Sequence, residues 1–259
     1  MSPAGGRVAG VRIDAVDLES AMARIETAIG TGSRIQIATV NLDFLVQAQR
    51  SAELRSVLNQ SDLNIADGMP VVWLSKLAGR DLPGRTAGSD LVPLALSRLA
   101  ARHARVFLLG GEGAVAIDAA RRLEQIYPGL VVAGHCEPPR ASIDRMPNRS
   151  IIRLIRHSRP DVLLVALGNP KQELWIARHL QQLDVSVAIG VGCTLDIMAG
   201  RVRRAPGWMQ KVGLEWLFRL MQEPGRLFRR YAIDSLWLAR FVWSAARNRQ
   251  APAATSAAA

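Results

Sequence analysis

The chain has 259 residues, 49% of them hydrophobic and 21% charged, with a formal net charge of +11. That is enough for one sizeable core, or a core plus an appendage, with disorder expected only at the ends. Two cysteines, Cys136 and Cys193, stand without metal-ligand spacing or a disulfide framework, which fits a reducing cytoplasm. Met1 to Gly10 has no signal-peptide core, and no apolar run reaches the roughly 18 residues of a membrane span, so the chain is expected to be neither secreted nor membrane-spanning.

In chain order, strand-like runs at Val8 to Ile13, Ile35 to Thr39, Leu63 to Ala66, Val106 to Leu109, Leu130 to Gly134, Val162 to Leu167 and Val185 to Val191 alternate with amphipathic stretches. The helical stretches are Leu18 to Ile29, Phe44 to Gln60, Met69 to Leu77, Ser89 to Arg102, Ala114 to Tyr127, Ser150 to Arg159 and Lys171 to Leu183. This alternation predicts an α/β fold with a mostly parallel, Rossmann-like sheet flanked by helices. After Asp196 the strand signal stops. Residues 1–200 are therefore expected to form the α/β core, 201–248 a helical appendage and 249–259 a disordered, low-complexity tail.

Residues 201 to 250 hold eleven Lys/Arg against three Asp/Glu, together with Trp208, Trp216, Trp237 and Trp243. Basic residues interleaved with Trp and large aliphatics such as Leu236, Leu238, Phe241 and Val242 describe a surface helix lying against anionic lipid. Nucleic acid is the competing anionic partner, but the neighbours of these aromatics are not Gly and small polar residues, so a membrane surface is expected and no nucleic acid. Part of the tryptophan content also suits an ordinary helical hairpin packing on the core.

Polar signatures sit at several strand ends, where open parallel sheets collect ligands. Gly168-Asn169-Pro170-Lys171-Gln172-Glu173 follows one apolar run, Thr39-Val40-Asn41-Leu42-Asp43 closes another, and Ala66-Asp67-Gly68-Met69-Pro70 a third. Asp67 has two readings: the N-cap of the helix that Pro70 opens, or a general base for an attacking hydroxyl that Thr39 and Asn41 orient. Gly110-Gly111-Glu112-Gly113 resembles a phosphate-cradling turn but lacks the Lys-Ser/Thr of a triphosphate loop, so it suits a nucleotide or diphosphate and not ATP hydrolysis. Gly190-Val191-Gly192 through Asp196 offers close backbone approach and a carboxylate for a ribose or base, or is a plain β-to-α turn. Arg85 is open between binding a phosphate and capping a helix. The four histidines show no metal or triad pairing, and no Asp-x-Asp occurs, so a sugar-nucleotide enzyme built on this chain neutralises its leaving diphosphate with arginines, lysines or amides.

Together these segments, with Arg85-Thr86-Ala87-Gly88-Ser89-Asp90, Phe107 to Gly111, Arg204-Ala205-Pro206 and Gly213-Leu214-Glu215-Trp216 through Arg219, resemble the WecG/TagA/CpsF family of bacterial glycosyltransferases from about Val8 to Tyr231. The resemblance implies transfer of one sugar, N-acetylmannosamine or glucose, from a UDP-sugar to a sugar on a polyprenyl diphosphate, in cell-surface or exopolysaccharide synthesis. It implies inversion without an essential metal or cofactor. Carried over by position, Asp67 is the general base, Thr39 and Asn41 shape the pocket, and Arg85 and Gln172 touch substrate. Asp196 holds the uridine end with Gly192 and the Gly110-Gly111 turn nearby, and Arg219, Arg226 and Arg229 reach the diphosphate. The implied place of work is the cytoplasmic face of the cell membrane, as a peripheral protein. Cys193 departs from the family's usual glycine, which questions the local backbone. A catalytically inactive membrane-docking scaffold is the alternative function, and both a monomer and a homo-oligomer stay open.

Overall fold

A computed structural model describes residues 6–250. The chain opens with a hairpin, β1 (Gly6–Val8) and β2 (Val11–Ile13), followed by α1 (Leu18–Thr31), β3 (Ile35–Val40), α2 (Leu42–Arg50), α3 (Ala52–Gln60), β4 (Leu63–Ala66), α4 (Met69–Leu77) and α5 (Gly88–Ala100). It continues through β5 (Arg105–Gly110), α6 (Val115–Ile126), β6 (Val131–Cys136), α7 (Asn148–Ser158), β7 (Val162–Ala166), α8 (Lys171–His179), β8 (Val187–Gly190) and α9 (Thr194–Met198). Three helices end it: α10 (Gly207–Lys211), α11 (Glu215–Gln222) and α12 (Pro224–Gln250).

Six strands form one parallel sheet in the order β4-β3-β8-β7-β5-β6. The chain steps outward from β3 to β4, then crosses to build β5 and β6 on the other side, and β7 and β8 return to fill the gap. Reversal of this kind leaves a crevice at the strands' carboxyl ends. Alternate residues of β5 and β7 face opposite layers, as the two-residue period of a strand requires. Val106, Leu108, Val162 and Leu164 pack with α1, α5, α6 and α9, whereas Phe107, Leu109, Leu163 and Val165 pack with α7, α8 and the buried Trp175. A third apolar cluster joins the hairpin, α2, α3 and α4, and on it rest Trp237, Leu238 and Phe241 of α12.

Two expected elements differ. The single strand at Val8 to Ile13 is a hairpin, because Ala9 and Gly10 take φ of 50° and 80°, the doubly positive turn that matches strand twist. The single helix Phe44 to Gln60 is broken at Ser51, whose extended backbone (φ −125°, ψ 105°) ends α2 while its side chain accepts from Leu54 N at 3.1 Å to cap α3. The strand signal does end before residue 200, and every regular element after α9 among the described residues is a helix. Of the expected tail, Arg249 and Gln250 fall within α12, and 251–259 lie outside the described residues. No helix among the described residues is long and apolar enough to cross a membrane.

Candidate active site

The carboxyl ends of β3, β4, β7 and β8 open into a cavity of about 670 Å³, whose far wall is supplied by α10, α11 and α12. Its lining includes Thr39, Asn41, Asp67, Arg85, Gln172, Gly192, Arg219 and Arg226. Residues far apart in sequence thus meet where the strand order reverses. Gly110, Gly111, Asp196 and Arg229 are not among its lining residues.

Asp67 follows β4 directly and its backbone amide donates to Val40 O at 2.8 Å, which fixes the residue at the crevice floor. The helix that follows is capped by Gly68, at φ 122°, without any side-chain hydrogen bond, so the N-cap reading of Asp67 is corrected. No hydrogen bond or ion pair among the described residues engages its carboxylate. Desolvation, with a contribution from Glu215, raises its pKa to about 6, while Arg85 and Arg219 oppose the rise. The result is a carboxylate basic enough to take a proton and still ionised at neutral pH.

The other strand-end residues are held for identifiable reasons. Thr39 Oγ1 donates to Gly190 O at 3.0 Å and ties β3 to β8, and Asn41 caps α2 by accepting from Phe44 N at 3.3 Å. Gln172, buried in the first turn of α8, donates through Nε2 to Glu173 Oε1 at 2.7 Å, leaving its own Oε1 buried and unpartnered in the cavity wall. Glu173 is fully buried, and desolvation raises its pKa to about 8, so it is protonated at neutral pH. A Cβ at Gly190 would lie 2.3 Å from Glu173 Oε1 and 2.6 Å from Gln172 Nε2, so the glycine makes room for this pair. Gly192 has φ 49°, whereas Cys193 sits at φ −67°, ψ −7° and caps α9, a conformation that any L-residue adopts; the departure at position 193 costs no strain.

Arg85 neither caps a helix nor stands free. It donates to Glu215 Oε2 at 2.7 Å and to Asp90 Oδ2 at 2.9 Å, and Arg204 donates to Asp90 Oδ1 at 2.5 Å and lies 3.7 Å from Glu215 Oε1. Two arginines and two carboxylates thereby staple the core to the C-terminal helices. The Gly110-Gly111 turn is also accounted for without a ligand. A Cβ at Gly110 would strike Ala166 O at 2.3 Å, and the Gly113 amide donates at 2.8 Å to Glu137 Oε1. An internal carboxylate thus occupies an amide that the sequence reading reserved for a phosphate. Asp196 lies outside the lining, its carboxyl raised by burial and drawn down by Arg226 and Arg219.

Sequence reasoning missed the residues that seat α12. Asp43 accepts from Asn169 Nδ2 at 2.6 Å and from Gln47 Nε2 at 2.8 Å, and pairs with Arg230 at 3.0 Å. Asp234, one helical turn beyond Arg230, is nearly buried, and desolvation together with the Asp43 charge raises its pKa to about 7. Arg226 and Arg230, four apart, face the cavity together, whereas the expected Arg229 is exposed and off that face. Arg229 and Arg230 lie three and four residues beyond Arg226, so helical spacing alone did not separate them.

A half-buried carboxylate of raised pKa beside guanidinium groups, in the crevice of a parallel α/β sheet, has the chemistry to accept a proton next to positive charge that can hold an anion. This chain belongs to the glycosyl transferase WecG/TagA/CpsF family, whose family model matches residues 6–252. It is 32% identical over 225 residues, 86% of either chain, to the N-acetylglucosaminyldiphosphoundecaprenol N-acetyl-beta-D-mannosaminyltransferase of Bacillus spizizenii. Proteins of the same name from Bacillus subtilis (31% over 198 residues, 76% of this chain and 75% of the relative) and Staphylococcus aureus strain MW2 (30% over 224 residues, 86% of each) are also similar.

Proposed function

We propose that this enzyme transfers N-acetylmannosamine from a UDP-sugar to a sugar carried on a polyprenyl diphosphate, with inversion and without an essential metal. The observation that carries the reading is Asp67, an unengaged carboxylate with its pKa raised to about 6, on the floor of a cavity that also holds Arg219 and Arg226. The acceptor hydroxyl attacks the anomeric carbon and gives its proton to Asp67 as the bond to the UDP oxygen breaks. Negative charge grows on the leaving diphosphate, so arginines placed there stabilise the transition state more than the ground state. Arg219, Arg226 and Arg230 line the cavity and supply that positive charge. Inversion is supported by the β linkage in the relatives' names, because a UDP-sugar with an α anomeric bond yields a β product in one displacement.

The acceptor's lipid anchor calls for a protein at the bilayer surface, and we place this one there as a peripheral protein. Trp208, Phe228, Leu236 and Trp243 are all exposed on α10 and α12, among the arginines of the same segment. Aromatic and aliphatic side chains interleaved with cations suit an anionic interface. Residues 1–200 would then act as the catalytic core and the following helices as its membrane-facing wall.

Purified protein incubated in EDTA with a panel of UDP-sugars and a short-chain polyprenyl diphosphate sugar tests this reading through UDP release and product mass. Acceptor-dependent release with UDP-N-acetylmannosamine, and a product heavier by one N-acetylhexosamine residue, is the expected outcome. Release that needs an added divalent cation, or that proceeds only with another donor, overturns the corresponding part.

A further inference from the structure

Away from the cavity, at the amino ends of the strands, α7 and the loops entering β5, β7 and β8 frame an open concavity of about 1110 Å³ lined by Arg105, Arg149, Arg153, Arg156 and Arg159 around Ile152. His157, Gln182 and Asp184 complete it, so five arginines face one carboxylate. Two of the five have internal duties. Arg105 donates to Ser158 O and Arg159 O and closes the end of α7, and Arg156 pairs with Asp184 at 3.1 Å. The side chains of Arg149 and Arg153 have no hydrogen bond or ion pair among the described residues.

The placement of those two works against the helix that carries them. They are four residues apart, where like charges repel, and Arg149 lies in the first turn, where the helix dipole favours an anion and no acidic residue is present. Ile151 and Ile155 bury the inner face of α7, so the helix needs no outward arginines to pack. A cationic stripe that lowers stability and is unpaired within the chain is relieved by an external anion.

We infer that this groove binds an acidic polypeptide segment of a partner protein, with carboxylates on Arg149 and Arg153 and an apolar side chain on Ile152. The groove lacks Trp, Tyr and Phe, so the bases of a single-stranded nucleic acid find no stacking platform. An apolar residue among the arginines suits a peptide better than a phosphate backbone. The helix that carries the exposed aromatics, α12, packs on α2 and α4 at the β4 edge, whereas α7 packs on β6, so a partner in the groove leaves the other surface free for a bilayer.

The test measures binding of a fluorescein-labelled Glu/Asp-rich peptide with spaced leucines to the full chain by anisotropy, beside polyuridylate and phosphatidylglycerol vesicles. Arg149→Glu/Arg153→Glu is compared with Arg240→Glu/Arg247→Glu on α12, with circular dichroism as the control of fold in both and sugar transfer as a second control in the α7 variant. The expected result is peptide binding that falls at least tenfold in the α7 variant, with its basal transfer intact, and is unchanged in the α12 variant. Equal losses in the two variants would show diffuse charge and overturn the inference. Tighter binding of polyuridylate or vesicles through Arg149 and Arg153 would overturn it in favour of those partners.

Discussion

Arg230 of α12 forms an ion pair across the cavity mouth with Asp43 at the start of α2, 3.0 Å away, and the same carboxylate accepts from the Asn169 amide. One aspartate therefore joins the C-terminal wall, the β3 exit and the Gly168-Asn169 turn. Asp43 is nearly buried and Arg230 about one-third exposed, which puts the pair between a surface salt bridge and a fully desolvated one.

Breaking that pair should unseat α12. Asp43→Asn or Arg230→Asp is expected to cost about 1–3 kcal/mol, between the ~1 kcal/mol of an exposed ion pair and the roughly 3–5 kcal/mol of breaking a buried one. It should also make the C-terminal helices more susceptible to limited proteolysis. The swap Asp43→Arg/Arg230→Asp should recover part of the protection and of kcat/KM. Absence of any recovery would mean that the two residues act separately.

The cavity arginines should act on the departing diphosphate. Arg219→Ala and Arg226→Ala are each expected to lower kcat by roughly 10- to 1000-fold, in line with loss of one donor to a developing anion. Arg219 is the more enclosed of the two, with about a quarter of its side chain exposed against more than half for Arg226, so its loss should cost more. Steady-state kinetics at fixed ionic strength separates this from weaker substrate binding, which would raise KM alone.

Glu173 makes stability depend on pH in a defined direction. Its folded pKa of about 8 lies above its unfolded value, so the folded state retains a proton that the unfolded chain releases between about pH 4.5 and 8. Stability from this group is greatest below that window and is lost as pH rises through it. Glu173→Gln, neutral at every pH, should flatten the decline and raise the melting temperature at pH 8–9 by a few degrees, on the order of 1 kcal/mol or more. An unchanged pH slope in differential scanning calorimetry would contradict the assignment.

Much of this architecture was legible in the sequence because strand ends carry short polar signatures between apolar runs of unmistakable length. Asp67, Gln172 and Gly192 could be placed at strand exits from those runs alone. What could not be read depends on three-dimensional neighbours. Ser51 breaks a helix whose apolar pattern runs straight through it, and Arg85 finds Glu215, 130 residues away. Gly110 looks like a phosphate turn, yet it is required by the carbonyl of Ala166. Arg229 and Arg230 are adjacent and chemically identical, and only the rotation of α12 against α2 decides which of them faces the cavity.

The most direct test is the pH dependence of kcat/KM for sugar transfer to a polyprenyl diphosphate sugar, measured for the native chain and for Asp67→Asn. With Asp67 as the base, transfer by the native chain should rise with pH through about 6 to a plateau, as the carboxyl loses its proton. The variant should keep its fold, fall by about 10²- to 10⁴-fold, and lose that inflection. A folded variant with native rates, or one that keeps the inflection near 6, would contradict the role given to Asp67.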